Sequence, residues 1–321
     1  MQKKIGLLFI AAGVLLLIFT MNPMKTFSGI HFGFSIGTRG IDDEQTFDAD
    51  DFRNLSIRTG STDVQIVPGS SDQIKARLYG KVSAKNAEQV KLKTEQNGDT
   101  LELGVQLPEG INVGVNVLDV DLTVELPEKQ WALAAIESGS GDIEIERIQG
   151  ETVRVKAGSG DIDLRQAMAG ELTVRTGSGD MEVEEIEADT LELESVSGNI
   201  SAERYKASLL KFQEGSGDIE LKHGESALQG QTSSGNIRLE AEQLLYDADL
   251  RAGSGSVTVD LDQEPSSLAV DFQGGSGSGK VRWDGMKNKE SDEDGNRLKG
   301  TFGSGDVKLK VRTGSGDFTL E

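Results

Sequence analysis

The chain's most persistent feature is a period-two alternation of apolar and polar residues that restarts after each of a series of Gly-Ser-Gly-Asp tetrads. Ile143/Ile145, Ile162/Leu164, Met181/Val183, Ile200/Ala202, Ile219/Leu221, Ile237/Leu239, Val257/Val259, Val281/Trp283, Val307/Leu309 and Phe318/Leu320 follow the turns. Val153/Val155, Leu172/Val174, Leu191/Leu193, Leu210/Phe212 and Leu309/Val311 precede them. Side chains alternate between the two faces of a strand, so each run predicts a strand with one buried face. The intervening Glu144, Glu146, Asp163, Glu182, Glu184, Glu192, Glu194 and Glu220 then belong to the solvent face.

The fourth turn position, Asp or a substitute, falls at 142, 161, 180, 199, 218, 236, 256, 280, 306 and 317, and the first four intervals are each 19 residues. A fixed period of this size marks a stacked architecture. The fold class expected is all-β, with an N-terminal transmembrane helix followed by a parallel, β-helix-like solenoid whose coil is about 19 residues. Stacked at about 4.8 Å, such coils make a rod on the order of 45 Å. The turn glycines are expected to supply positive φ, and the Asp or Asn to accept hydrogen bonds from nearby backbone amides. The period fails late in the chain, with intervals of 24, 26 and then 11. Residues 284–300 therefore read as a protruding charged loop, and the last strand as an edge guarded by Asp317 and Glu321.

Alternation is present earlier too, in Leu55-Ser56-Ile57, Val64-Gln65-Ile66-Val67, Leu101-Glu102-Leu103 and Val120-Asp121-Leu122-Thr123-Val124. Thr59-Gly60-Ser61-Thr62-Asp63 is a degenerate copy of the turn, Asn97-Gly98-Asp99 a hairpin signal and Ala84 to Lys91 a short helical turn. The N-terminus is different in kind. Ile5 to Met21 is an uncharged apolar run behind Lys3 and Lys4, read as a single membrane span with a cytoplasmic N-terminus. A cleaved signal peptide is the competing reading, but the exit before Asn22-Pro23 lacks the small-x-small pattern. The expected organisation is a cytoplasmic tip and transmembrane anchor (1–24), a flexible stalk (25–46), a β-rich opening section (47–137) and the repeat solenoid (138–321).

The Gly-Ser-Gly-Asp-Ile-Glu-Ile units, introduced by Leu126-Pro127, resemble a bacterial putative-adhesin family of Gly-Ser-Gly-Asp β-solenoid proteins over roughly residues 50–321. With the apolar segment in front, the layout also resembles that of membrane-anchored proteins associated with the envelope stress response of Bacillus relatives. The resemblance implies an extracytoplasmic, surface-associated role and carries no catalytic residues.

Composition narrows the chemistry. Forty glycines against five prolines suit many short strands, and the absence of cysteine excludes disulfides, thiol nucleophiles and thiolate metal sites. A net charge of −21 argues against a nucleic-acid partner. The aspartate row Asp142, Asp161, Asp180 and Asp218 invites a calcium ladder as an alternative to turn capping. Against calcium, the motif occurs once per coil, and Asn199, Asn236, Ser256 and Lys280 interrupt the row. Carboxylates line every polar face, so no catalytic pair stands out from a solvated surface. His31 and His223 form no triad or zinc set, and Trp131 and Trp283 suit buried strand positions. The function expected is a non-enzymatic cell-envelope protein without cofactor, anchored through residues 5–21 at the cell membrane and binding an envelope protein or wall component. A calcium-dependent adhesive or structural β-roll is the alternative, and a glycan-active solenoid enzyme the third reading.

Overall fold

The computed structural model describes residues 37–108 and 117–321, and Thr38–Glu321 forms one unit. The expected all-β fold is found among the described residues, and the transmembrane helix placed before it is corrected. Among the described residues no helix is long and apolar enough to cross a membrane, and the longest helical elements are the 3-10 turns Ala49–Asp51 and Ala84–Asn86. Period-two alternation breaks up every apolar run here, which favours strands over a membrane helix. The Ile5–Met21 segment assigned to that helix lies outside the described residues.

The stalk also needs correction. Thr38–Asp48 is a strand, antiparallel to Gln73–Ser83 along its whole length, with Ile41 and Phe47 packed on the core. Arg77 grips Asp42 through two hydrogen bonds, of 2.7 and 2.8 Å. Residues 25–36 lie outside the described residues.

The stack begins at the degenerate turn. Asn54–Thr59 and Asp63–Pro68 pair in parallel with Gln130–Ser138 and Ile143–Ile145, so residues 54–68 are the first coil. Antiparallel strands Gln73–Ser83 and Leu118–Leu126 and the hairpin Lys91–Asn97/Thr100–Gln106 complete that end. From Ile143 to Lys222 each coil has three straight stretches. One runs up to the turn (Val153–Ala157 and its equivalents), one follows it (Ile162–Arg165), and a third lies between a sharp corner and a break in pairing (Ala167–Ala169). The corner residues Gln166, Glu185, Arg204 and His223 all have positive φ, between 49° and 56°. A side chain in that conformation costs about 1–2 kcal/mol. A polar ladder running from Arg147 to Gln166 (2.9 Å) and from Gln166 to Glu185 (3.0 Å) holds the corner.

Inside, equivalent residues stack in columns: Ile143, Ile162, Met181, Ile200, Ile219 and Ile237 form one, and Ile136, Val155, Val174, Leu193 and Phe212 another. All are essentially excluded from solvent. Where an aromatic enters a column, a glycine follows. The Phe212 ring fills the space a Cβ on Gly230 would need, and Tyr205 does the same to Gly224.

At the C-terminal end, chain order and spatial order part. Phe318–Leu320 lies between Val257–Leu261 and Gly279–Val281, and Val307–Thr313 between Ala248–Ala252 and Leu268–Gly274. The last coil in sequence is thus inserted before the one that precedes it, and the chain does not end on an edge. The expected charged loop is largely the hairpin Lys287–Ser291/Arg297–Phe302, whose Leu298 and Phe302 are buried and which pairs antiparallel with Leu268–Gln273. Two sequence alignments are also corrected. Ser278 occupies the turn position assigned to Lys280, because Gly275 and Gly277 stack on Gly314 and Gly316. Trp283 accordingly lies just past the strand and is only partly buried, whereas Trp131 is buried in Gln130–Ser138.

Candidate functional site

Two features compete as the site: the row of turns and the third side of the coils. At the turns, each Asp, Asn or Ser accepts a hydrogen bond from the backbone N–H of its counterpart in the next coil. Asp63 Oδ1 accepts from Asp142 at 2.9 Å, Asp142 from Asp161 at 2.9 Å, Asp161 from Asp180 at 2.8 Å and Asp180 from Asn199 at 2.7 Å. The line continues through Asp218, Asn236, Ser256 and Asp317 to Ser278. The four aspartates of the calcium reading are therefore brought into one row, with Asn199 between Asp180 and Asp218. Each spends Oδ1 on a neighbouring amide. Among the described residues no group of three or more His, Cys, Asp or Glu is arranged to hold a metal ion. Asn and Ser can take the same place because the backbone amide needs an acceptor there, which an amide or hydroxyl oxygen also supplies.

The turn glycines have a different reason from the one expected. None of those on this line has positive φ; a Cβ on Gly160, Gly179 or Gly198 would fall on the carbonyl of the glycine one coil earlier. They are there so that one turn can lie directly on another. Beneath the turns runs a column of buried, mostly polar residues absent from the expectations, interrupted by Ala157 and Ala252. The hydroxyls of Ser138, Thr176 and Ser195 accept from the N–H of Gly141, Gly179 and Gly198 at 2.9, 3.1 and 3.1 Å. Glu214 takes this place in the Asp218 coil. Its Oε1 accepts from Ser216 N–H at 2.9 Å, while Oε2 is buried without a partner among the described residues.

The acidic faces are cross-linked by arginine. Arg165 meets Asp163 at 2.6 Å and Glu184 at 3.9 Å, Arg175 meets Glu192 at 3.2 Å and Glu194 at 2.8 Å, and Arg204 contacts Glu184, Glu185 and Glu203. These exposed pairs contribute at most about 1 kcal/mol each, and they explain how stacked carboxylates coexist.

The third side carries two adjoining recesses. Its coils break pairing at Glu151, Gly170, Asp189 and Ser208, and the small residues Gly150, Ala169, Ala188 and Ala207 leave a groove of about 510 Å³. The third side ends at Glu225, the last of its residues to pair with the preceding coil. Residues 242–247, which carry no strand, run alongside, and a second recess of about 380 Å³ opens there. Glu225 and Tyr246 line both. Met168, Leu245 and Tyr246 are 49%, 62% and 45% exposed around this surface. Tyr205, only 2% exposed, lines the second recess, and burial raises its hydroxyl pKa well above the ordinary phenol value, keeping it a donor. His223 is a corner residue at the same recess, and His31 lies outside the described residues. Sequence reasoning missed this surface. Its one trace is that residues 242–247 place Leu244, Leu245 and Tyr246 where the alternation lapses.

A family model described as Toastrack DUF4097 matches residues 52–321, most of the chain. The chain belongs to the Toastrack DUF4097 family. Among solved structures, this Toastrack chain is similar to a "putative adhesin" from Parabacteroides distasonis at 15% identity and TM-score 0.52, covering 87% of this chain and 97% of that one. It is similar also to a "putative lipid binding protein" from the same organism at 16% identity and TM-score 0.52, covering 87% and 96%. At such identities the likeness shows the fold. No curated protein matches the chain.

Proposed function

We propose that this Toastrack protein is a non-enzymatic binding module of the cell envelope whose recognition surface is the third side of the coils. The observation that carries the reading is the pair of adjoining recesses with Met168, Leu245 and Tyr246 exposed around them. Apolar side chains grouped around a concavity are the usual mark of a binding site on an otherwise polar surface. The stacked coils hold the surface rigid, so little ordering is needed on binding. The descriptions of the structural neighbours, a "putative adhesin" and a "putative lipid binding protein", point the same way.

The test is photo-crosslinking in intact cells. A photoreactive residue at position 168 or 246 is expected to give a discrete, reproducible product that one at position 182, on the acidic face, does not. Equal labelling from all three positions, or none from the groove, overturns the reading.

A further inference from the structure

The recess beside Tyr205 has a specific origin. Ile148, Ala167, Ile186 and Tyr205 form the inward column of the third side, and the next place in that column is Gly224. The Tyr205 ring occupies the volume a Cβ on Gly224 would take. Beyond it the third side stops, leaving a recess walled by Leu228, Leu239, Leu244, Leu245 and Tyr246. The Tyr205 side chain is almost wholly buried and lines the recess, and its hydroxyl, which bonds no group among the described residues, is not one of the sealed-off polar atoms and so keeps contact with the recess. A hydroxyl set in an apolar wall and open to the recess is a donor that phenylalanine would lack in the same space. An acceptor brought by a ligand would find that donor within the recess.

Charge selects among ligands. Glu225 and Glu242 stand at the mouth, neither ion-paired among the described residues, and Gln263 donates to Glu242 at 2.8 Å. The chain as a whole carries −21. An anionic head is repelled here, whereas a cationic one meets two carboxylates and the half-exposed ring of Tyr246. We infer that this recess binds a single-chain amphiphile with a cationic head, its alkyl chain among the leucines and a carbonyl near its head accepting from the Tyr205 hydroxyl. The inference rests on the reading of the third side as the recognition surface and names its ligand class.

The probe is decanoylcholine, titrated below its micelle concentration into the full-chain protein by calorimetry, with decanoate and choline as controls. One-to-one binding of decanoylcholine is expected, with decanoate at least about tenfold weaker. Tyr205→Phe weakens decanoylcholine by roughly three- to tenfold with no loss of melting temperature, the loss of a single hydrogen bond. Leu245→Ser, at an exposed position, weakens it by a similar factor. Equal binding of decanoate, or decanoylcholine binding unchanged in both variants, overturns the inference. If these fail while crosslinks from 168 and 246 persist, the amphiphile site falls and the binding surface stands. Loss of the crosslinks as well removes both.

Discussion

Between Ile143 and Lys222 the order of coils in space is their order in the chain; between Ala248 and Glu321 it is not. The contrast is sharpest in two copies of one motif. Gly314-Ser315-Gly316-Asp317 is a stacked turn, with Gly316 lying on Gly255. Gly303-Ser304-Gly305-Asp306, eleven residues earlier, is a crossover carrying the chain from one flank of Leu268–Gly274 to the other. Here the glycines do adopt positive φ, 56° and 72°, and Asp306 bonds Ser304 and Ser267 instead of a turn in the next coil. The same four residues meet two needs, close approach in one place and left-handed backbone in the other. Neighbouring strands decide which applies.

The largest effect expected to test this difference is from truncation. Removing Val307–Glu321 empties a slot in the middle of the stack, taking away the buried Leu309, Val311, Phe318 and Leu320. A loss on the order of 5 kcal/mol is expected from that burial alone. Hydrogen exchange is then fast in both Val257–Leu261 and Leu268–Gly274. Protection retained in Leu268–Gly274 would mean that the C-terminal coil is an ordinary edge.

Next in size is a matched pair of substitutions. Gly316→Asn puts a Cβ against the Gly255 backbone and is expected to cost about 3–5 kcal/mol in urea unfolding. Gly305→Asn, at φ 72° with only side chains nearby, is expected to cost about 1 kcal/mol or less, because Asn tolerates that conformation. Similar losses at the two sites would erase the distinction between the copies.

Within the regular coils, Asp161→Ala leaves the Asp180 N–H without its acceptor and is expected to cost about 1–2 kcal/mol. Asp161→Asn keeps the acceptor and should be close to neutral. An equal loss in both would show that charge, not hydrogen bonding, is what the row requires.

The smallest effect is on acid stability and belongs to the C-terminal coils. The backbone N–H and hydroxyl of Ser278 hold the Asp317 carboxyl below its usual range, and the hydroxyls of Ser304 and Ser267 do the same for Asp306. Their stabilisation is complete above the unfolded carboxylate value of about 3.9 and lost as pH falls through the lower folded values. Urea midpoints for the parent chain and an Asp317→Asn variant should therefore converge as pH drops below about 4. A gap between them that stays constant from pH 6 to pH 3 would remove this role.

Much of the stack was legible in the residues. The 19-residue interval, the paired inward positions and the Thr59–Asp63 copy of the turn all lie where the coils are found. The candidate site was not legible, because its parts share no pattern. Met168 and Tyr205 come from different coils, Leu245 and Tyr246 from the stretch where alternation lapses. The turn aspartates, which do share a pattern, proved to serve the backbone.

What this chain's sequence determines by itself is local: period-two alternation, which sets strands and their buried face, and a repeated turn, which sets the length of a coil. Those are properties of short windows, governed by side-chain direction and backbone sterics. The tertiary structure alone decided which coil lies on which, why the glycines are needed, and where a recess opens. Each of these depends on contacts between distant residues: Phe318 against Val257 and Gly279, Gly160 upon Gly141, Tyr205 over Gly224. An interval of 11 or 26 residues is compatible with several stacking orders, and only packing and backbone pairing select one.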